Sequence, residues 1–131
     1  MLEGSQIDWA CHAKDGPRAV DEMLDFDAAI GEIIRFAKAD GNTLVIVTAD
    51  HETGGLALEQ GAGYDVLDLE FTTGYHTATM VPVFAFGPGS EQFGGVMDNT
   101  DIFWKMAKLW GWEEAFLENE KQTKGGRSKR N

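Results

Sequence analysis

Between Gly16 and Gly41 apolar residues return every three or four positions, as Val20, Met23, Leu24, Ile30, Ile33, Ile34 and Ala37. Glu32, Arg35 and Lys38 fall off that stripe. The period predicts an amphipathic helix. Gly16-Pro17 opens it, since proline at the first helical position gives up no needed hydrogen bond. Gly41 closes it, and the pattern allows a break near Asp25. A second apolar stripe, Ile102, Phe103, Met106, Leu109 and Trp110, follows Asp98-Asn99-Thr100, which can cap a last helix.

The strands have a different signature. Thr43 to Thr48 is a continuous β-branched and apolar run, the pattern of a strand buried on both faces in the middle of an α/β sheet. Met80 to Phe86 is a second such run, and Pro82 within it points to an edge or a bulge. Leu2–Ile7 reads as the end of a strand running into a loop. The glycine-spaced stretch from Gly54 to Gly74 reads as irregular, with short strands at Leu56–Leu58 and Val66–Leu69. A helix between two buried strands predicts an α/β layered fold.

Composition narrows the class. The 131 residues suit one domain, and 43% apolar with 25% charged residues is a globular composition. No apolar run reaches the roughly 18 residues of a membrane span. The net charge is −11, with Lys121, Lys124, Arg127, Lys129 and Arg130 gathered at the end. Residues 119–131 are therefore expected to be a solvated, disordered tail, and residues 1–118 the domain. An acidic body argues against nucleic acid and anionic membranes as partners and suits carboxylates that hold cations. Cys11 is the single cysteine, so no intrachain disulfide forms. It reads as a small buried or partly buried thiol, with a zinc ligand beside His12 as the alternative.

The candidate chemistry lies at the three histidines. In open α/β sheets, binding groups gather in loops after the carboxyl ends of strands. His12, His51 and His76 each lie near an acid or in a strand-end loop. Asp8 and His12 are four apart, so one helical turn sets carboxylate and imidazole side by side. With a third imidazole they form a mixed nitrogen and oxygen set suited to a catalytic zinc. Asp50 and His51 follow a buried strand, where a turn can aim both at one point. Glu3 is a hard oxygen ligand, better matched to magnesium. Each piece also has a plainer reading, an ion pair for Asp8 and His12 or a turn cap for Asp50.

Taken together, Glu3-Gly4-Ser5-Gln6-Ile7-Asp8 with His12, Thr48-Ala49-Asp50-His51-Glu52-Thr53-Gly54-Gly55, and Gly74-Tyr75-His76-Thr77 resemble three motifs of the alkaline phosphatases, in the family's order. Val83 to Gly89 and Asp98-Asn99-Thr100 are similar to its closing segments. The resemblance implies a three-layer α/β fold with a mostly parallel sheet, of which this chain is a carboxy-terminal portion. It implies two Zn2+ ions and one Mg2+ ion. Asp8, His12 and His76 would hold the first zinc, Asp50 and His51 would contribute to the second, and Glu3 would bind magnesium. It further implies a phosphate monoester or inorganic phosphate as the bound partner, a homodimeric parent and a periplasmic or secreted location.

The departures from that family are as informative. Its serine nucleophile stands in an Asp-Ser-Ala setting, which Ser5, Ser90 and Ser128 all lack. Arg18 and Arg35 fall on the long helix and do not match the phosphate-clamping arginine. Trp9 fills a position that varies in the family between basic and aromatic residues. The chain is thus expected to be part of a larger zinc- and magnesium-dependent phosphomonoesterase, inactive by itself. The competing expectation is a non-catalytic metal-binding domain with a structural or assembly role.

Overall fold

In a computed structural model of the chain, residues 1–64, 66–112 and 114–116 are described. They fall into two compact units, Met1–Pro88 and a second beginning at Gly89. The expected basic tail lies outside the described residues. No described helix is long and apolar enough to cross a membrane.

The first unit opens with α1, Ser5–His12, which takes in the turn expected from Asp8 to His12 and replaces the strand end expected over Leu2–Ile7. Only two turns of helix fit here, too few for its period to stand out in the sequence. Its stability comes from packing on α2, not from propensity. Ala10 and Cys11 bury against Ala19, with Ile7 and Phe71 alongside. Small side chains let the two helices approach closely.

Helix α2, Gly16–Asp40, runs without the break considered near Asp25. Asp15 caps it by accepting from the Arg18 amide, Pro17 sits in its first turn, and Gly41 closes it at φ 73°. The left-handed cap suits glycine, which carries no Cβ penalty there. The Asp40 carboxylate then accepts from the Asn42 amide and the Thr43 hydroxyl, turning the chain toward the first strand. Gly16, Ala19 and Ala37 are the buried residues of the helix, while Val20, Met23 and Leu24 of the expected stripe are exposed.

Among the described residues six short strands follow, β1 (Val45–Thr48), β2 (Glu52–Thr53), β3 (Leu56–Gln60), β4 (Leu67–Phe71), β5 (His76–Thr77) and β6 (Val83–Phe86). They pair as β1–β6, β2–β5 and β3–β4. All three pairings are antiparallel, so the mostly parallel sheet is not what these residues form. An unbroken apolar run such as β1 marks burial, and burial alone does not fix strand direction. Val45 is buried, Ile46 and Val47 are half-buried, and Thr48 is exposed. Pro82 lies just outside β6, and its carbonyl accepts from the Thr48 hydroxyl at 3.2 Å. A residue without an amide donor ends the ladder there. The two short strands expected between Gly54 and Gly74 are the β3–β4 hairpin.

The second unit holds a 3₁₀ turn, Ser90–Phe93, and α3, Asn99–Leu109. Among its described residues, Phe93 and Ala107 are buried. Of the expected stripe, Ile102 and Met106 are half-buried, and Phe103, Leu109 and Trp110 are exposed. Asp98 caps α3 as expected, accepting from the Thr100 amide and hydroxyl, while Asp101 accepts from the Asp98 amide in a full capping box.

These contacts generate two predictions. The Thr100 amide and hydroxyl hold the Asp98 carboxyl below its ordinary value. A depressed carboxylate contributes stability above its unfolded pKa, and that contribution is lost as pH falls through the folded value. Amide exchange in the first turn of α3 should therefore accelerate below the ordinary carboxylate range, and in Asp98→Asn this acid-dependent step should be absent. Gly54 stands at φ 91°, and a Cβ there would meet the Phe71 ring at 2.7 Å. Gly54→Ala should lower stability by more than about 1 kcal/mol, read by urea unfolding.

Candidate metal centre

Three segments bring the site together. On α1, Asp8 and His12 lie one turn apart on one face. The β2–β5 ladder pairs Glu52 with Thr77 and Thr53 with His76. Directly paired residues point to the same side of a sheet, and neighbours along a strand point to opposite sides. One side therefore carries Thr53 and His76, with His51 two positions before Thr53. The other carries Glu52, whose carboxylate accepts from the Thr77 hydroxyl. That bond, with help from the Leu56 and Gly55 amides, holds the Glu52 carboxyl below its ordinary value.

Gly54 and Gly55 bend the chain away after β2, at φ 91° and 57°. The Gly54 amide donates to the Tyr75 carbonyl at 2.9 Å, and its own carbonyl accepts from the Thr72 and Thr73 amides. A two-residue ladder is thus anchored at the bend, and the segment carrying His76 is folded back over α1.

The side chains converge closely. His12 Nε2 lies 3.0 Å from His76 Nε2 and 3.5 Å from Asp8 Oδ1, and His76 Nε2 lies 3.4 Å from the same oxygen. The His51 ring stacks on His76 with centroids 3.5 Å apart. Asp8, His51 and His76 also present ligand atoms within 4.8 Å of one another. Asp50 stands at the rim, largely exposed, with Oδ2 at 3.3 Å from His51 Nε2 and Oδ1 accepting from the His51 amide. Five of the six candidate ligands are gathered: Asp8, His12, Asp50, His51 and His76. Glu3 is exposed in the segment before α1, where it lines an open cavity with Gln6, Glu22, Asp25 and Phe26.

The donor set fits a cation. A carbonyl only accepts, so the 2.7 Å contact of His12 Nδ1 with the Gly74 oxygen requires that Nδ1 carry hydrogen. In the neutral ring Nε2 is then a lone pair, aimed at His76 Nε2 and at a carboxylate oxygen. Such a triangle is repulsive unless a proton or a cation sits within it. For zinc–ligand bonds of about 2.0–2.1 Å, ligand atoms at tetrahedral positions lie about 3.3 Å apart. The three edges here, 3.0, 3.4 and 3.5 Å, bracket that spacing. The Gly74 carbonyl fixes the His12 ring as an outer partner would orient a ligating histidine.

Thr53 was not singled out from the sequence. Its hydroxyl donates to Asp8 Oδ1 at 2.5 Å and lies 3.3 Å from His51 Nδ1. It is the principal cause of an Asp8 carboxyl held below its ordinary value; burial opposes it, and His12, His76 and His51 add to it. Threonine in a strand is common, and only its place opposite His76 gives it a role. Cys11 is buried, and desolvation, with Glu52 and Asp8 nearby, pushes its thiol upward. The sulfur is part of the α1–α2 core, as the plainer reading of this residue held.

Comparison with known proteins agrees with this geometry. The alkaline phosphatase family model matches residues 1–72. Alkaline phosphatase 3 of Bacillus subtilis is 32% identical over 78% of this chain and 37% of its own length. Among solved structures, the alkaline phosphatase of the Antarctic bacterium TAB5 shares 51% identity at a TM-score of 0.78, over 84% of this chain and 34% of that one. A histidine-to-glutamate variant of the TAB5 enzyme, solved with Mg bound in the M3 site, is 49% identical at the same TM-score, over 84% of this chain and 35% of that one. The chain thus spans little more than a third of the length of these relatives. With the family model matching more than half of its residues, the chain belongs to the alkaline phosphatase family.

Proposed function

We propose that this chain supplies a divalent-metal centre to a phosphomonoesterase, with the nucleophile carried elsewhere in the parent protein. The observation that carries this reading is the triangle of Asp8, His12 and His76, with edges suited to one zinc. Asp8, His12 and His76 hold a first zinc in this reading, and Asp50 and His51 contribute to a second. Glu3 is assigned to magnesium as a hard oxygen donor whose remaining partners come from outside the chain. The three-layer, mostly parallel sheet belongs to the whole parent domain, which β1 and β6 join. The parent is proposed to be a homodimer, periplasmic or secreted.

Bound at this place, divalent cations supply charge neutralisation for a phosphoryl group and a lowered proton affinity for an attacking oxygen. The chain's own residues do the positioning. His12 is fixed in one tautomer by the Gly74 carbonyl. The stacking of His51 on His76 sets the two imidazole groups side by side. Phosphate monoesters are among the slowest substrates to hydrolyse unaided, so a dense cluster of ligands answers a real barrier. A non-catalytic metal-binding role is the second reading, favoured by the lack of any serine in the nucleophile's setting.

Zinc titration of the full chain tests the proposal. Free zinc at about 100 times its Kd should add about 2.7 kcal/mol of stability, seen as a raised Tm that EDTA reverses. His12→Ala and His76→Ala should each abolish most of that increment. Hydrolysis of a phosphate monoester should be absent from the isolated chain and appear only when a nucleophile-bearing part is supplied. A melting curve indifferent to zinc, EDTA and both substitutions would overturn the assignment.

A further inference from the structure

A threonine hydroxyl has one proton to give and lone pairs to accept with. Thr53 Oγ1 lies 2.5 Å from Asp8 Oδ1, a length typical of a hydroxyl donating to an ionised carboxylate. The proton is therefore committed to Asp8. His51 Nδ1, 3.3 Å away on the other side of the oxygen, can bond only by donating its own hydrogen. With Nδ1 protonated, the neutral ring keeps its lone pair on Nε2, the atom 3.3 Å from Asp50 Oδ2. That lone pair facing a carboxylate has the same need for a cation as the His12 and His76 pair.

We infer that Thr53 is a positioning residue that sets the ligands of both zinc ions at once, donating to Asp8 of the first group and accepting from His51 of the second. The inference rests on the metal reading above and assigns a part that the ligands alone do not specify. Three features place the residue for it. Thr53 is buried at 9% exposure, so water does not compete freely for its hydroxyl. It stands opposite His76 in the β2–β5 ladder, so its backbone register is that of a ligand. Its two partners come from different elements, Asp8 from α1 and His51 from the segment before β2, so one hydroxyl ties the helix to the strand.

Thr53→Val keeps the shape and removes the hydroxyl, while Thr53→Ser keeps the hydroxyl. Zinc affinity is measured on the full chain by competition with a chromophoric chelator, together with the zinc-dependent rise in Tm. Losing an outer partner of a metal ligand typically weakens binding roughly 10–100-fold, and that loss is expected for valine. Serine should restore wild-type affinity. A merely structural role would lower the Tm of metal-free and zinc-loaded protein alike; positioning instead shrinks the difference between them. Cobalt(II) absorption in the site should change in Thr53→Val and not in Thr53→Ser. If valine prevents folding, Thr53→Ala removes the hydroxyl without added bulk and is read in the same way. Wild-type zinc affinity in a folded variant lacking the hydroxyl overturns this inference alone. A wild-type chain that takes up no zinc overturns the metal reading and this inference with it.

Discussion

The ladder between β2 and β5, two residues on each strand, is the constraint on which the site depends. Two strands of that length are not stable in water without further support. Here the support comes from side chains and a bend. Glu52 and Thr77 bond on one face, Thr53 and Asp8 on the other, and Gly54 closes the turn by bonding to Thr72, Thr73 and Tyr75. Remove these and His51 and His76 lose the register that stacks their rings. The candidate ligands are therefore not decorations on a finished sheet; they are among the contacts that hold this part of the chain together.

Electrostatics gives the same result from another direction. Asp8 faces three imidazole groups and one hydroxyl, and these partners keep its carboxyl ionised below the ordinary range. His12 is oriented by a carbonyl that allows a single tautomer. A pocket with fixed lone pairs and an ionised oxygen is arranged for positive charge.

Much of this was legible in the sequence, and the gaps have physical causes. The three-motif pattern named the candidate ligands, and the four-residue spacing of Asp8 and His12 implied the turn of helix that the structure contains. The long helix and the cap of the last one were written in period and in Gly16-Pro17, Gly41 and Asp98. The direction of β1 was not, because a run of β-branched residues reports burial and is silent on its partner. The first turn of α1, Ser5–Ile7, resembles a strand end in the sequence because two turns carry too little period, and its burial depends on Ala19, which lies beyond a loop. Thr53 stayed hidden within its motif: its role exists only once α1 brings Asp8 to within 2.5 Å.

The burial pattern explains why site and fold are hard to separate. The core of the first unit is Ala10, Cys11 and Ala19 with Ile7 and Phe71 against it, and no large side chain among the described residues is fully buried. Small residues remove little apolar area from water, at about 25 cal/mol per Å². With so modest a hydrophobic contribution, the cation proposed at Asp8, His12 and His76 would be a large fraction of what holds α1 to β5. A substitution at any of these ligands then acts twice, once on the charge the site can hold and once on the contact between helix and strand. Affinity and melting temperature must be read together, since either alone would assign the whole effect to one cause.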